Sequence, residues 1–195
     1  MPGYREPMRS SPVQIIEPRR HGDARGWFME TYSERAFTER GIAHRFVQDN
    51  HSMSAERWTL RGLHYQAPPH GQAKLVRCLR GRIFDVAVDL RAGSPTFGRW
   101  TGVELSAENG RQLFVGIGFA HGFLTLEEGC EVAYKVSDLY APECEGGVRW
   151  DDPRVAIGWP LPPGVRPLLS EKDEALPSLG AAPFAYDDAP FELAA

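Results

Sequence analysis

Cysteines and long apolar runs are both scarce in this sequence. Its 195 residues include three cysteines, Cys78, Cys130 and Cys144, an odd number with no close pairing. This pattern predicts no disulfide framework and is typical of reduced thiols in a cytoplasmic protein. No stretch approaches the roughly 18–20 apolar residues that cross a bilayer, and the first residues lack the apolar core of a signal peptide. We therefore expect a cytoplasmic protein with no membrane partner.

Positive charge is not in excess either. The formal net charge is −4, which argues against a general nucleic-acid partner. The sequence also lacks a Gly-x-Gly-x-x-Gly motif, a phosphate-loop Gly-Lys-Ser/Thr and a Gly-x-Ser-x-Gly motif. These absences make dinucleotide-binding, nucleoside-triphosphate-binding and serine-hydrolase folds poor candidates.

One cationic segment stands out in this acidic protein. The residues from Arg57 to Leu79 contain no Asp or Glu, and they include His64. Guanidinium groups match phosphate oxygens in geometry, and histidine can take up and return a proton near neutral pH. The segment therefore predicts proton chemistry on a phosphate-bearing small molecule. Its four cations are Arg57, Arg61, Lys74 and Arg77.

Alternation of apolar and polar residues indicates a protein built mainly from half-buried β-strands. The pattern is clearest in Arg82–Leu90 and in Glu131–Ser137. Many short strands separated by Gly, Pro, Asn and Asp favour a sandwich, a jelly roll or a barrel. Further strands are predicted at Gly26–Tyr32, Phe46–Ser54, Thr59–Gln66, Ala73–Leu79, Trp100–Leu105, Arg111–Val115 and Gly122–Leu126.

Helix signals are confined to two places. Glu34–Arg40 is predicted as a helix capped by Ser33, and a second helix is expected to start at Ser170, where Ser-x-x-Asp has the form of a capping box. The length suits a single domain, which we place at residues 1–180. We expect its proline-rich part from Trp159 to wrap the sheet surface, and residues 181–195 to be a loosely ordered tail.

His64 is the first candidate for chemistry. The alternation places it on the same strand face as Leu60, Gly62 and Gln66. A lone histidine is commonly a buried, hydrogen-bonded core residue, but the neighbouring cations favour a functional role here. His121 is a conceivable metal ligand together with His64, yet two scattered histidines are weak evidence, and we expect no metal.

Two further residues have both a structural and a functional interpretation. Tyr134 lies on the apolar face of its strand, where it is either a core aromatic or a proton donor into a cavity. Asp173 closes the predicted capping box, but a carboxylate can also orient a histidine. The sequence pattern leaves both pairs of alternatives open.

Eight ordered motifs, spread between Ile15 and Leu179, resemble the dTDP-4-dehydrorhamnose 3,5-epimerase family. The resemblance implies an all-β, cupin-type jelly-roll barrel with a few short helices and no cofactor. It further implies epimerisation at C3 and C5 of dTDP-4-dehydro-6-deoxy-D-glucose to dTDP-4-dehydro-β-L-rhamnose through an enolate. The motifs are Gly22–Gly26, Phe46–Ser52, Leu60–Gln66, Lys74–Cys78, Phe84–Asp89, Ser94–Gly98, Leu105–Asn109 and Gly118–Phe123.

The resemblance also implies residue roles. His64 would be the general base, oriented by Asp173, and Tyr134 would be the acid on the opposite face of the sugar. Lys74, helped by His121, would stabilise the enolate oxygen. Family members are dimers that share N-terminal strands, so part of the binding set would come from the partner of a homodimer. The implied substrate-binding residues are Arg25, Phe28, Glu30, Gln48, Asp49, Asn50, Arg61, His121, Tyr140, Glu145 and Lys172.

Other functions stay open at this point. The nearest alternatives are a mono-epimerase acting at C3 or C5 alone, and a ketoisomerase acting on a related sugar. A sugar-nucleotide-binding cupin without activity and a metal-dependent cupin oxygenase are the alternatives from other classes. The sequence also departs from the family at Gly116, where many members carry proline, so we expect a looser turn there.

Overall fold

The computed structural model describes residues 11–180 and 183–185. The regular secondary structure of the described chain is almost entirely β, with two short helices, Glu34–Glu39 (α1) and Glu171–Glu174 (α2), and a 3-10 turn at Pro142–Cys144. The strands are Val13–Ile16 (β1), Arg20–Asp23 (β2), Gly26–Met29 (β3), Gln48–Ser54 (β4), Leu60–Gln66 (β5), Lys74–Arg80 (β6), Arg82–Asp89 (β7), Arg91–Ala92 (β8), Trp100–Ser106 (β9), Gln112–Val115 (β10), Phe119–Thr125 (β11), Cys130–Val136 (β12), Glu145–Gly147 (β13) and Phe184–Ala185 (β14).

Two five-stranded antiparallel sheets pack against each other. The first has the strand order β1-β10-β6-β12-β4 and the second the order β13-β5-β11-β7-β9. Apolar side chains from both sheets, such as Val76 and Val132 from the first and Ile83 and Ala87 from the second, form the core between them. The predicted all-β jelly roll with a few short helices is confirmed. Because side chains alternate along a strand, Lys74 shares the inward face of Val76.

The second sheet is covered on its outer face as well. Alternation predicts one buried face for the strand at Arg82–Leu90, but six of the eight residues of β7 are buried, on both faces. Val86 and Val88 on its outer face pack against Val148, Val155 and Leu179 of the C-terminal segment. The difference from the prediction arises because this segment lies over the sheet and excludes water from it.

The predicted strands and helices largely coincide with the observed ones. Each of the nine predicted strands overlaps an observed strand, and both helices follow their predicted capping residues, Ser33 and Ser170. The sequence pattern did not predict β1, β2, β8, β13 or β14. These strands have two to four residues each, too few to establish an alternation.

The turn at Gly116 is held in place by the N-terminal strand region. The backbone N–H of Gly116 donates to the carbonyl oxygen of Pro12 at 2.7 Å, and a Cβ at position 116 would lie 2.8 Å from that oxygen. A proline there would lose this hydrogen bond. Glycine at position 116 therefore allows a close contact with the backbone of Pro12. The expectation from the sequence was a looser turn at this position.

Most of the predicted tail, 181–195, lies outside the described residues. Within its described part, Phe184 belongs to β14, which pairs with β8 in parallel orientation. The Phe184 ring is buried and meets the Tyr65 ring edge to face, with the ring centroids 5.6 Å apart. This contact places residues 183–185 on the jelly roll.

Candidate active site

His64, Lys74 and Tyr134 together line two adjoining cavities between the sheets, of about 310 and 280 Å³. His64 comes from the second sheet, and the other two residues come from the first. The first cavity is completed by Gln48, Asn50, Tyr65, Gln66, Gln72, Tyr140 and Glu145. The second cavity is completed by Ser52, Arg61, His121, Phe123, Ser170, Lys172 and Asp173.

A β-bulge in β5 brings Arg61 and His64 to the same cavity. The pairing of β5 with β11 shifts between these two residues, so Leu60 packs in a separate apolar cluster away from the cavity. The predicted common face of Leu60 and His64 is therefore wrong. Gly62, at the bulge, has φ +123°, and a Cβ there would lie 2.6 Å from the Cα of Gly122. Only glycine fits this conformation and this close approach.

His64 is hydrogen-bonded to a buried carboxylate. Its Nε2 lies 2.5 Å from Oδ1 of Asp173, and Ser170 Oγ donates to Oδ2 of the same carboxylate at 2.9 Å. Burial alone would raise the pKa of Asp173, but the hydrogen bonds from His64 and Ser170 outweigh it and lower that pKa. An ionised Asp173 holds the proton of a neutral imidazole on Nε2, which leaves the lone pair on Nδ1.

Lys74 is a buried ammonium group on the inward face of β6. Its Nζ donates to the backbone carbonyl of His64 at 3.3 Å. Burial lowers the pKa of Lys74 from 10.5 to about 8, and the negative charges of Asp85 and Glu145 oppose that change. At neutral pH the side chain therefore still carries a positive charge, in a site with little water to screen it.

His121 and Asp85 form a second buried histidine–carboxylate pair. His121 Nε2 lies 2.8 Å from Asp85 Oδ1, and Asp85 is completely buried. Within the described residues, the other oxygen of Asp85 has no hydrogen-bond partner. An ionised carboxylate in this position raises the pKa of Lys74 and so favours its charged form.

Tyr134 faces the cavity from the sheet opposite His64. Burial raises the pKa of its phenol, although the positive charge of Arg61 partly offsets this effect. The phenol is thus protonated at neutral pH and can donate a proton. The cavity consequently contains a potential base and a potential acid on opposite walls, with a buried cation near both.

Glu145 organises the outer part of the first cavity. It accepts hydrogen bonds from Tyr140 at 2.9 Å and from Lys172 at 2.5 Å. Burial alone would raise the pKa of Glu145, but these two hydrogen bonds outweigh it and the pKa is lowered. Glu145 is therefore an anion with two donors, next to the exposed ring of Tyr140.

Comparison with known proteins decides the family. The family model described as dTDP-4-dehydrorhamnose 3,5-epimerase matches residues 9–181. The chain belongs to this epimerase family. It is similar to the dTDP-4-dehydrorhamnose 3,5-epimerase of Pseudomonas aeruginosa, with 57% identity over 162 residues that cover 83% of this chain and 87% of that relative. The family resemblance of the sequence motifs is confirmed.

Solved structures agree with this assignment. The dTDP-6-deoxy-D-glucose-3,5-epimerase of Legionella pneumophila, in complex with dTDP-4-keto-L-rhamnose, is 50% identical with a TM-score of 0.81 and covers 86% of this chain and 88% of that chain. ChmJ of Streptomyces bikiniensis, a 3'-monoepimerase in complex with dTDP-quinovose, is 38% identical with a TM-score of 0.80 and covers 90% of this chain and 87% of that chain. The similarity to the epimerase family therefore extends to a mono-epimerase.

The structure brings together most residues that the epimerase resemblance implied, but not Asp49. Gln48 and Asn50 of β4 face the first cavity, and Gln48 Nε2 donates to Asn50 Oδ1 at 2.8 Å. Asp49, between them, points to the opposite face of the sheet, where its carboxylate pairs with Lys135 at 2.8 Å. The alternation of the strand prevents three successive residues from sharing one face.

Three more implied residues lie away from both cavities of this chain. Arg25 and Phe28 belong to the hairpin of β2 and β3, and Glu30 follows it directly. The Arg25 side chain is 90% exposed and pairs with Asp23, while Phe28 is 70% exposed. Phe28 and Glu30 line a different cavity, between the hairpin and α1.

Sequence reasoning did not identify Asp85 and Ser170 as residues of the site. The alternation of β7 could have revealed Asp85. This residue lies between Ile83 and Ala87 on the face of β7 that points into the core, where burial of an unpaired carboxylate costs free energy. Ser170 was recognised only as a helix cap.

The described residues contain neither a cluster of metal-ligating side chains nor a membrane-spanning helix. Within residues 11–180 and 183–185, no three His, Cys, Asp or Glu side chains are grouped as metal ligands would be. No helix in this described part is long and apolar enough to cross a membrane. The expectation that the protein needs no metal or other cofactor stays a prediction.

Proposed function

We propose that the protein epimerises dTDP-4-dehydro-6-deoxy-D-glucose at C3 and C5, giving dTDP-4-dehydro-β-L-rhamnose. One observation carries this proposal: His64 and Tyr134 approach the same cavities from different sheets. Inversion at a carbon requires that a proton leave one face and a proton arrive on the other. A base and an acid on opposite walls meet this requirement.

His64 is the base in this proposal. Its Nδ1 removes a proton from the carbon next to the C4 ketone, and the C–H electrons move into an enolate whose negative charge lies on the C4 oxygen. Asp173 stabilises the imidazolium that forms, since it accepts a hydrogen bond from Nε2 at 2.5 Å. A positioned base contributes roughly 10²–10⁴-fold to such a step.

Lys74 stabilises the enolate. The ammonium of Lys74 lies in a buried part of the cavity, where a fixed positive charge attracts a developing oxyanion more strongly than it would in water. His121 lines the same cavity and assists it. Asp85 does not contact the substrate in this proposal. It contributes a negative charge next to both Lys74 and His121.

Tyr134 completes the inversion. Its hydroxyl gives a proton to the opposite face of the enolate carbon, and the enolate electrons form the new C–H bond. The imidazolium of His64 then loses its proton to solvent, and the phenolate of Tyr134 regains one. Repeating these steps at the second carbon inverts both centres with no net gain or loss of protons.

Substrate binding would use the groups around the cavity mouth. Arg61 supplies a guanidinium for the diphosphate, and Tyr140 an exposed ring for the thymine. Arg25, Phe28 and Glu30 do not line either of this chain's two cavities, which supports a homodimer whose hairpins extend to the partner's site. The free cysteines support a cytoplasmic location.

Isotope exchange tests the reaction. The protein is incubated with dTDP-4-keto-6-deoxyglucose in deuterated water, and deuterium at C3 and C5 is measured by NMR or mass spectrometry. We expect label at both carbons and the L-rhamno product. His64→Asn should abolish the exchange, whereas His51→Asn, a change at an exposed residue paired with Glu131, should leave it intact.

The same experiment separates the alternatives. Label at one carbon only would replace the proposal with a mono-epimerase or ketoisomerase, for which the likeness to ChmJ is a specific precedent. Substrate binding without any exchange would indicate a non-catalytic sugar-nucleotide-binding protein. Near wild-type exchange in His64→Asn would remove His64 from the mechanism.

Subunit mixing tests the dimer. Arg25→Ala and His64→Asn each damage a different part of the site, so each variant alone should be weakly active or inactive. If the hairpin serves the partner's cavity, a mixed dimer contains one site with both wild-type residues, and activity should return after the variants are mixed and allowed to exchange subunits. Absence of any recovery in verified mixed dimers would contradict the shared site.

A further inference from the structure

Ser170 makes two hydrogen bonds with Asp173, the residue that holds His64. Its Oγ donates to Asp173 Oδ2 at 2.9 Å and accepts from the Asp173 backbone N–H at 3.1 Å. We propose that Ser170 is a positioning residue of the epimerisation, which fixes the Asp173 carboxylate and thereby the His64 ring. The inference rests on the proposed function, in which His64 is the base.

The contacts of the carboxylate show why one hydroxyl has this effect. Asp173 Oδ1 faces His64 Nε2 at 2.5 Å, and Oδ2 accepts from Ser170. Rotation of the carboxylate about its bond to Cβ would break both hydrogen bonds at once, so the two partners fix its plane. Removal of Ser170 Oγ would take away the side-chain hydrogen bond that holds Oδ2, so the carboxylate, which also accepts a hydrogen bond from the backbone of Gly62, would be held less firmly, and the imidazole would be less fixed in its direction into the cavity.

The Ser170 hydroxyl also determines where the proton between His64 and Asp173 lies. Ser170 has a single hydroxyl proton, and it is donated to Asp173 Oδ2. Oδ2 therefore acts as an acceptor, which favours the carboxylate form of Asp173 and keeps the shared proton on His64 Nε2. A base needs this arrangement, because the lone pair of the imidazole is then on the nitrogen that is not bonded to Asp173.

The local sequence explains how a four-residue helix can support a catalytic group. Ser170 is the N-cap of α2, and Asp173 is the third residue of that helix. In an ordinary capping box, the side chain at this third position reaches back to the backbone N–H of the cap. Asp173 turns instead to the Ser170 hydroxyl and to His64. One residue pair thus closes the helix through the Ser170 hydroxyl and contacts the proposed base through the Asp173 carboxylate.

Three substitutions separate this role from the two simpler ones. Ser170→Ala removes the hydroxyl and the cap, and Ser170→Gly removes the hydroxyl but keeps most of the capping preference. Ser170→Thr keeps both the hydroxyl and the cap. The simpler roles are helix capping alone and direct contact with the substrate, since Ser170 also lines the second cavity.

The experiment measures kcat and KM for product formation from dTDP-4-keto-6-deoxyglucose. We expect Ser170→Ala and Ser170→Gly to lower kcat on the order of tenfold with KM unchanged, the effect of losing one hydrogen bond to a charged group. Ser170→Thr should recover most of kcat, and all three variants should keep the wild-type circular dichroism spectrum.

Several results would overturn the inference. A raised KM at unchanged kcat would make Ser170 a substrate contact, and a full kcat in Ser170→Gly would make it a helix cap only. A wild-type kcat in Ser170→Ala would leave it without a role. If the wild-type protein itself shows neither turnover nor exchange, the proposed function fails and the inference falls with it, a result distinct from the other three.

Discussion

Replacing Lys74 with methionine should make the protein more stable and abolish its activity. Lys74 is 8% exposed, and its pKa falls from 10.5 to about 8 on folding. That difference corresponds to about 3 kcal/mol by which folding disfavours the charged side chain. Methionine has a similar shape without the charge, so Lys74→Met should raise the free energy of unfolding at pH 7 by up to about 3 kcal/mol.

The pH dependence identifies Lys74 as the cause. Below pH 8 the lysine is protonated in both the folded and the unfolded chain, and the full cost of burying the charge is present. Between about pH 8 and 10.5 the folded chain releases the proton while the unfolded chain keeps it, so wild-type stability rises with pH. The advantage of Lys74→Met should therefore shrink across this range and vanish near its upper end.

Urea unfolding, followed by the fluorescence of the five tryptophans, measures the effect at pH 7, 9 and 10.5 and one protein concentration. A gain of this size moves the midpoint on the order of 1 M in urea. Lys135→Met, which removes a more exposed ammonium paired with Asp49, is the matched control and should not raise the urea midpoint at pH 7. A Lys74→Met protein that is less stable than wild type at pH 7, or a difference that does not change with pH, would refute the reasoning.

Three further predictions follow from single contacts. Asp85→Asn removes a charge that raises the pKa of Lys74, so the fall of kcat at basic pH should begin at a lower pH than in wild type; an unmoved basic limb would contradict this role. Gly62→Ala should cost about 1–3 kcal/mol in urea unfolding because its Cβ meets Gly122, whereas Gly180→Ala, which meets nothing within 4 Å, should cost far less. Dialysis against EDTA should leave kcat unchanged because, in the proposed mechanism, the Lys74 ammonium stabilises the enolate, and restoration of a lost activity by an added metal would contradict that mechanism.

The strand pattern could be predicted from the sequence wherever one strand is long enough to alternate. Val132, Tyr134 and Val136 alternate with Glu131, Ala133 and Lys135, which predicts the strand at Glu131–Ser137, and in β12 Val132 and Val136 are buried while the three residues of the other face are only half-buried. The same rule placed Leu60 with His64 and was wrong, because one bulge residue inverts every side chain beyond it. Short strands such as β13 carry too few residues to reveal a period.

The motif resemblance could name most of the residues that line the candidate site. It could not predict the direction in which each side chain points. The resemblance implied Gln48, Asp49 and Asn50 as a group, and the pleat of β4 turns Asp49 away from the other two. The sequence pattern did not reveal the role of Asp85, because its hydrogen-bond partner, His121, lies 36 positions further along the chain. Such long-range pairs depend on how strands are ordered in a sheet, and a local pattern contains no information about that order.

The origin of His64 in one sheet and of Tyr134 in the other has a mechanical consequence. The gap between the His64 imidazole and the Tyr134 phenol follows the spacing of the two sheets, and buried core side chains such as Val76 and Ile83 set that spacing. Truncating one of these buried residues would let the two sheets move closer together as the cavity left behind partly collapses. Turnover is then expected to depend on substitutions that contact neither the substrate nor the transferred proton.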